Sequence, residues 1–390
     1  MADLCPGSPF HHPSDVLEIL ERYHDSWGAR FVPHRNPCPQ PISLERKHFD
    51  TLRSNQYVVA DKSDGVRYAL FLTRVGGREQ SVLIDRKLEV FQCPVAACKK
   101  CFNGSLFDGE LLWIDGPNGS RCQTLLIFDV SLWRGDANVA QRPLHARLEL
   151  IRKVFGLEGK VTNTEAAQAA AKMGKVVCGG NAHGLSFQPK QCMPLDMLDT
   201  LLRHMKGLPY RSDGLLLTPV EEPIRSGTHE TMFKLKWRHT IDLEVNVASG
   251  EILFGLGGVK TANGRSPIQN LGIKIGPRFL DDLRAALRPS DGLIGTIVEC
   301  ELDLSRTISF FDIRRDKRHP NSQRTIERTL INVQEAITAE ELLTEVALPF
   351  GRRQPPRRPV DDDDNDTATA ADCATTIAIT TDLAYTPIGP

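Results

Sequence analysis

Apolar and polar residues form short runs from residue 57 onward, a pattern typical of β-strands bounded by turn residues. Gly76-Gly77 lies between two of these runs, where a hairpin turn is expected. The runs predict strands at residues 57–60, 67–75, 81–91, 106–114, 124–130, 214–218 and 232–236. Helical spacing predicts helices at residues 16–23, 144–155, 164–173 and 195–205. This part of the chain is expected to be a mixed α and β domain built mainly on antiparallel sheet.

The pattern changes near residue 240, where short strand candidates alternate with glycine-rich turns. Strands are predicted at residues 241–248, 252–256, 272–275, 295–302 and 307–313, with a helix at 278–287. Short strands with one helix in a segment of this size predict a small barrel such as an OB-fold. Residues 322–346 predict one long helix, with Ile326, Leu330, Val333 and Ile337 on one face.

These patterns divide the chain into four predicted parts. Residues 1–239 form the first domain, with 1–38 as an N-terminal extension, and residues 240–320 form the OB-fold domain. Residues 321–346 are expected to pack as a helix on the first domain. Residues 350–390 carry a basic Arg/Pro segment, four aspartates and a Thr/Ala-rich end, and are expected to be a disordered tail. The basic segment is read either as a solvated linker or as a nuclear import signal.

Composition narrows the class of protein. The 390 residues are 41% hydrophobic and 25% charged, and 48 Lys and Arg balance 49 Asp and Glu to a net charge of −1. This excludes a uniformly basic nucleic-acid coat but permits a local basic cleft. We expect no membrane association, because no apolar run reaches the roughly 18 residues of a membrane helix. Ten scattered cysteines favour reduced thiols in a cytosolic or nuclear protein.

The segment richest in chemistry is Lys62-Ser63-Asp64-Gly65-Val66-Arg67, which lies between two predicted strands. A lysine is nucleophilic only when neutral, and burial beside other cations lowers its pKa toward that state. Gly65 permits a tight turn or a close backbone approach. Arg67 offers donors to a carboxylate or a phosphate. These residue types favour phosphate chemistry, although they are equally common in a solvated turn.

This hexamer resembles motif I, KxDGxR, of the covalent nucleotidyltransferases, the superfamily of mRNA guanylyltransferases and ATP-dependent DNA and RNA ligases. Segments similar to motifs III, IIIa, IV, V and VI follow in family order: Asp108-Gly109-Glu110, Leu126-Ile127-Phe128-Asp129-Val130, Ser212-Asp213-Gly214-Leu215, Phe233-Lys234-Leu235-Lys236 and Arg314-Arg315-Asp316-Lys317. Six motifs in order are far more specific than any one of them. The resemblance implies an α+β fold, with an antiparallel-sheet, ligase-type (ATP-grasp-like) nucleotidyltransferase domain and a C-terminal OB-fold β-barrel.

Details of the motifs resemble the mRNA guanylyltransferases, or capping enzymes, more than the ligases of the same superfamily. Motif IV reads Asp213-Gly214, where ligases usually carry Glu-Gly, and motif VI has the RxDK form. The segments Gln40-Pro41-Ile42-Ser43 and Ile84-Asp85-Arg86-Lys87 are also similar to capping-enzyme segments. Three positions depart from that pattern: Ser63 in motif I, Trp237-Arg238 after motif V and Asp312 before motif VI.

The resemblance implies that Lys62 attacks the α-phosphorus of GTP, expels pyrophosphate and holds GMP until the 5′-diphosphate end of an RNA accepts it as a GpppN cap. It implies the catalytic residues Lys62, Lys234, Lys236, Asp242, Arg314, Asp316 and Lys317. It implies the nucleotide-binding residues Asp64, Arg67, Arg86, Glu110, Phe128 and Lys190. Phe128 would stack on guanine, Lys190 would bind the guanine O6, and Asp213 and Glu110 would hold Mg²⁺ or Mn²⁺. Lys234 and Lys236 share one face of a predicted strand, since they are two residues apart.

The partners implied are GTP, 5′-diphosphate RNA and a separate RNA triphosphatase and cap methyltransferase, because no signature of either activity occurs in the chain. RNA polymerase is a further candidate partner. The expected location is the nucleus, or the cytoplasm for a virus-encoded enzyme.

Several alternatives stay open on the sequence. Taken alone, Phe128 is more typical of a core residue, and Glu110, Asp213, Lys234 and Lys236 of solvated positions. An ATP-dependent ligase and a non-catalytic scaffold that binds guanine nucleotides or RNA ends are the rival functions. Cys98 and Cys101, with Cys93 nearby, are a weak zinc signal that lacks a second pair. Glu299 and Glu301 are expected on an exposed strand face rather than in a metal-dependent triphosphatase site.

Overall fold

The computed structural model describes residues 4, 7–116, 119–156, 164–178, 185–248, 251–257, 267–288, 291–315, 317 and 319–346. Its helices are α1 (Pro13–Ser26), α2 (Phe49–Ser54), α3 (Leu144–Phe155), α4 (Thr164–Lys172), α5 (Leu198–Met205), α6 (Pro267–Asn270), α7 (Phe279–Ala286), α8 (Gln323–Glu335) and α9 (Ala339–Glu345). Its strands are β1 (Ser8–Pro9), β2 (Gln40–Ser43), β3 (Tyr57–Ser63), β4 (Val66–Val75), β5 (Arg78–Asp85), β6 (Val90–Gln92), β7 (Val95–Ala96), β8 (Ser105–Asp115), β9 (Arg121–Leu132), β10 (Val177–Cys178), β11 (Leu185–Pro189), β12 (Met193–Pro194), β13 (Ser212–Pro219), β14 (Thr228–Lys236), β15 (Thr240–Ala248), β16 (Glu251–Gly255), β17 (Lys274–Ile275), β18 (Ile297–Leu302) and β19 (Thr307–Ile313). The predicted tail at residues 350–390 lies outside the described residues.

The larger sheet of the first domain has seven strands in the order β1-β6-β5-β4-β8-β9-β11. Its neighbours pair antiparallel except β9 and β11, which are parallel. Side chains alternate along a strand, so β4 directs Leu70 and Leu72 toward the core beneath α3 and Phe71 toward the core beneath α1. The expectation of a mixed domain on mainly antiparallel sheet is confirmed.

Residues 81–91 were predicted as one strand, and that prediction is wrong. The structure has β5 and β6 joined by a tight turn in which Leu88 has a φ of 66°. The Asp85 carboxylate holds this turn, because its Oδ1 accepts the backbone N–H groups of Lys87 and Glu89, each at 2.8 Å. A local side-chain bond of this kind competes with a continuous strand.

The second sheet has five strands in the order β12-β3-β13-β14-β2. Its apolar face packs against α2, α5 and α9 through buried residues such as Leu52, Leu201 and Leu342. The chain passes from this sheet to the larger one at Asp64-Gly65, between β3 and β4, and returns near Lys190, between β11 and β12. Polar residues at these two crossings therefore lie where the two sheets meet.

The third sheet, in the order β16-β15-β18-β19-β17, belongs to the C-terminal part of the chain. It is a curled half-barrel. Its core contains Val298, Ile308, Phe279 of α7 and Ile326 of α8, which are buried together. β16 and β17 are the two edge strands of this sheet. Among the described residues, they do not pair with each other to close a barrel.

The prediction of one long helix at residues 322–346 is wrong, because the segment forms α8 and α9. Ala336 takes a left-handed conformation with a φ of 45° and ends α8. Thr338 then caps α9 by accepting a hydrogen bond from the Glu341 backbone N–H. Ile326, Leu330 and Val333 pack into the C-terminal core, whereas Ile337 packs into the core of the second sheet.

None of the helices in the described ranges is long and apolar enough to cross a membrane.

Candidate functional site

Lys62 lies near the end of β3, beside a carboxylate from the neighbouring strand. Its Nζ donates to both oxygens of Asp213, at 2.7 Å to Oδ1 and 2.9 Å to Oδ2. Asp213 lies near the start of β13, and the next residue, Gly214, lets β13 lie close to β14, because a Cβ at this position would lie 1.9 Å from the Leu235 carbonyl oxygen. Asp213 therefore lies between the strand that carries Lys62 and the strand that carries Lys234 and Lys236.

Two further lysines from β14 approach the same carboxylate. Lys236 Nζ lies 3.5 Å from Asp213 Oδ2. Burial, together with the nearby charges of Lys236 and Lys62, lowers the pKa of Lys234 to about 8. The structure thus brings together three lysines and one carboxylate that the motifs identified separately.

Glu110 faces this group from β8, where it pairs in register with Arg67 on β4. Burial raises the pKa of Glu110 to about 7, although the positive charges of Lys62, Arg67 and Lys190 oppose the rise. Asp64 is exposed in the turn between the two sheets, and its backbone N–H donates to the Arg211 carbonyl.

Arg67 has a carboxylate partner within the protein. Its Nε donates to Asp108 Oδ1 at 2.9 Å, its Nη2 donates to Asp108 Oδ2, and its Nη1 donates to the Pro39 carbonyl at 2.6 Å. The guanidinium lies 5.6 Å from the centroid of the Phe128 ring, and this ring is half-buried rather than part of a core cluster. Arg67 therefore contacts the aromatic candidate for base stacking. Asp108 belongs to motif III, but its pairing with Arg67 was not predicted from the sequence.

Arg86 is exposed on the turn between β5 and β6. Its Nη2 lies 3.2 Å from the Oε1 of Gln40, which begins β2. The segments 40–43 and 84–87, which are both similar to capping-enzyme segments, therefore meet at the edge of the site.

Lys190 is buried in a hydrogen-bonded network with residues of β3, the strand that carries Lys62. The Lys190 and Asp61 side chains are each 2% exposed, and Lys190 Nζ lies 3.1 Å from Asp61 Oδ2. Lys190 Nζ also donates to Ser63 Oγ, which donates to Asp61 Oδ2 at 2.8 Å. Tyr210 OH donates to Asp61 Oδ1 at 3.3 Å. Neither Asp61 nor Tyr210 was predicted as a site residue, and the one sequence signal for Asp61 is its position next to Lys62.

The last group of predicted residues lies in the C-terminal part. Asp242 is buried and accepts from Arg314 Nη1 at 3.3 Å, from Lys317 Nζ and from Asn321 Nδ2 at 3.2 Å. Arg314 Nη1 also lies 3.4 Å from Glu299 Oε2. Asp242 thus binds the motif VI cations themselves. Asp316 lies outside the described residues.

The described residues contain no group of three His, Cys, Asp or Glu side chains arranged for a metal ion. Cys98 and Cys101 form a thiol pair with their sulfurs 3.4 Å apart. Asp213 and Glu110 supply hard oxygen donors near the lysines, a set that fits Mg²⁺ or Mn²⁺ when substrate phosphates complete the coordination.

Comparison with known proteins decides between the two branches of the superfamily. Residues 15–238 match the family described as mRNA capping enzyme, catalytic domain, and residues 231–343 match mRNA capping enzyme, C-terminal domain. The chain belongs to the mRNA capping enzyme family. The expected α+β class, with a mainly antiparallel first domain followed by a curled half-barrel sheet, is confirmed. The protein is a nucleotidyltransferase.

Capping enzymes of fungi and animals are similar to this chain. The mRNA-capping enzyme subunit alpha of Schizosaccharomyces pombe is 28% identical over 92% of this chain and 92% of its own length. The subunit alpha of Neurospora crassa is 26% identical over 79% of this chain and 83% of its own length. The mRNA-capping enzyme of Danio rerio is 25% identical over 79% of this chain but only 49% of its own length. Membership of the capping enzyme family carries with it GTP and RNA as substrates and a need for a divalent metal ion.

Proposed function

We propose that this capping enzyme transfers GMP from GTP to the 5′-diphosphate end of RNA through a covalent Lys62–GMP intermediate. The observation that carries the proposal is the position of the Lys62 amine, on a strand end beside Asp213 and facing Lys234 and Lys236. A nucleophile surrounded by cations suits attack on a phosphate, because negative charge builds on the phosphate oxygens in the transition state.

In the first step, the Lys62 nitrogen bonds to the α-phosphorus of GTP, the bond to the bridging oxygen breaks, and pyrophosphate leaves with the electron pair. Before attack, the Lys62 ammonium must lose a proton, and Asp213, which accepts its hydrogen bonds, is placed to take it. Lys234 and Lys236 would neutralise the α-phosphate oxygens. In the second step, an oxygen of the RNA 5′-diphosphate bonds to the α-phosphorus and the phosphorus–nitrogen bond breaks. Asp213 is placed to return the proton to the departing Lys62 amine.

Arg314 and Lys317 are proposed to orient the β- and γ-phosphates, which requires the C-terminal domain to close over the first domain. Asp316, from the same motif, is proposed as a further catalytic residue. Asp242 would hold Arg314 and Lys317 in place before closure, as its buried hydrogen bonds to both side chains suggest. A bound Mg²⁺ or Mn²⁺ would neutralise phosphate charge, with Asp213 and Glu110 as its protein ligands.

The remaining steps of capping are assigned to other proteins. We propose that an RNA triphosphatase and a cap methyltransferase act as separate chains, and that RNA polymerase is a further candidate partner. The name subunit alpha carried by the fungal relatives supports a divided enzyme. The proposed location is the nucleus.

We predict an alkaline fall in kcat/KM for adduct formation that depends on Lys234. Because the pKa of Lys234 is lowered to about 8, its positive charge is present below that pH and is lost as the pH rises through it. Arginine keeps its charge throughout this range, so the ratio of Lys234→Arg to wild-type kcat/KM should rise roughly tenfold between about pH 7 and about pH 9. A ratio that does not change with pH would contradict a role for the Lys234 charge.

The proposed reaction predicts covalent labelling with GTP. We expect purified protein with Mg²⁺ or Mn²⁺ to retain label from α-³²P-GTP on a denaturing gel, and to lose it when pyrophosphate is added. Label from ATP instead would contradict the assignment of GTP as the substrate. The absence of label from either nucleotide, in folded protein, would favour the non-catalytic scaffold.

A further inference from the structure

We propose that Asp61 is a positioning residue for purine recognition, which acts by fixing the Lys190 ammonium, and that Tyr210 supports Asp61. The inference rests on the proposed guanylyltransferase function and on the contact with the guanine O6 that the motif resemblance implies for Lys190. Asp61 itself is not expected to touch the nucleotide.

The contacts of Asp61 use both of its carboxylate oxygens. Oδ2 accepts from Lys190 Nζ at 3.1 Å and from Ser63 Oγ at 2.8 Å, and Oδ1 accepts from Tyr210 OH at 3.3 Å. An ammonium buried to this extent needs a hydrogen-bonded anionic partner to remain charged. Burial, together with the charge of Asp61, raises the pKa of Tyr210 well above its ordinary value, so its hydroxyl remains a donor.

The network lies between the two ends of a bound nucleotide. The Lys190 backbone N–H donates to the Ile127 carbonyl at 2.7 Å, which makes Lys190 the cross-strand neighbour of Phe128. Ser63 follows Lys62 on β3. A purine that stacks on Phe128 while its α-phosphate lies at Lys62 therefore passes the Lys190 amine.

The donor count of Lys190 explains how Asp61 would set selectivity. An ammonium has three N–H donors and no acceptor. Asp61 and Ser63 take two of these donors, which fixes the direction of the third. A fixed donor matches the 6-oxo oxygen of guanine and opposes the 6-amino group of adenine. If Asp61 lost its charge, Lys190 could turn toward other acceptors and the third donor would no longer be aimed.

The test compares GTP with 2-aminopurine riboside triphosphate, which has hydrogen in place of the 6-oxo group. We expect Asp61→Asn to lower kcat/KM for covalent labelling by GTP about tenfold to a hundredfold, mainly through KM, because a hydrogen bond to a charged group is lost. Labelling by the 2-aminopurine nucleotide should change little. We expect Tyr210→Phe to show the same selective loss at roughly two- to tenfold.

A double-mutant cycle separates positioning from folding. If Asp61 acts through Lys190, adding Asp61→Asn to Lys190→Met should cause no further loss with GTP. Tyr57→Phe is the matched control, since it removes a phenol on the same strand that donates to the Thr231 carbonyl at 2.8 Å, away from Lys190. Its labelling by both nucleotides should equal that of wild type.

Equal losses on GTP and on the 2-aminopurine nucleotide in both Asp61→Asn and Tyr210→Phe would overturn the inference, because a structural role affects both substrates. Should Asp61→Asn fail to fold, Tyr210→Phe carries the same comparison. Wild-type protein that labels with neither nucleotide would instead refute the proposed function. If wild-type protein labels with GTP, and Asp61→Asn and Tyr210→Phe prefer GTP over the 2-aminopurine nucleotide as strongly as wild type does, only the role of Asp61 is refuted.

Discussion

Lys62→Ala is expected to abolish the covalent adduct, lowering its rate by at least about 10⁴-fold. Lys234 and Lys236 are present in this variant and can still bind phosphate, but neither is paired with the Asp213 carboxylate as closely as Lys62. The measurement is label retained from α-³²P-GTP on a denaturing gel, with circular dichroism to show that the variant folds.

Lys62→Arg separates the charge of this side chain from its nucleophilicity. A guanidinium can replace the ammonium in the pair with Asp213, but it stays protonated and cannot attack phosphorus. We therefore expect Lys62→Arg to be as inactive as Lys62→Ala. Lys47→Ala is the matched control, since Lys47 is a 66% exposed lysine that pairs with Glu45, and it should label at the wild-type rate. An adduct that persists in both Lys62 variants would show that another residue carries the GMP.

Local patterns predicted the strands of this protein well where one face is buried. The strands around Lys62 and Lys234 follow from their apolar runs, and the Gly76-Gly77 hairpin follows from two glycines with φ of 52° and 76°. Periodicity failed where a single residue changes the chain direction. The long helix divides because Ala336 is left-handed, and no apolar spacing signals that conformation.

The candidate site could be predicted only as far as its motifs extend. Motif order identified Lys62, Asp213, Lys234 and Lys236, and the fold places these four together. Other site residues are held by partners from distant segments of the chain. Asp108 pairs with Arg67, and Asp61 pairs with Lys190. These pairs form across strands whose register is set by tertiary packing, so residue types and spacing do not reveal them.

The Arg67–Asp108 pair underlies the second large effect that we expect, which is a loss of stability. Asp108 is 2% exposed and receives two hydrogen bonds from the guanidinium of Arg67, which remains charged at any accessible pH. Asp108→Asn leaves that cation largely buried without its anionic partner. Removing one member of a buried ion pair typically costs about 3–5 kcal/mol. We expect the free energy of unfolding, measured by urea denaturation, to fall by about this amount.

Asp50→Asn provides the matched comparison, because Asp50 is 67% exposed and pairs with Arg53 one helical turn away. An exposed pair of this kind contributes about 1 kcal/mol or less, so this variant should unfold close to wild type. Replacing both partners, as Arg67→Met with Asp108→Leu, should recover part of the lost stability because no unpaired charge remains. Adduct formation should not recover with it, since Phe128 loses the guanidinium that lies over its ring. If Asp108→Asn were as stable as Asp50→Asn, the pair would not be the constraint that holds Arg67 against the site.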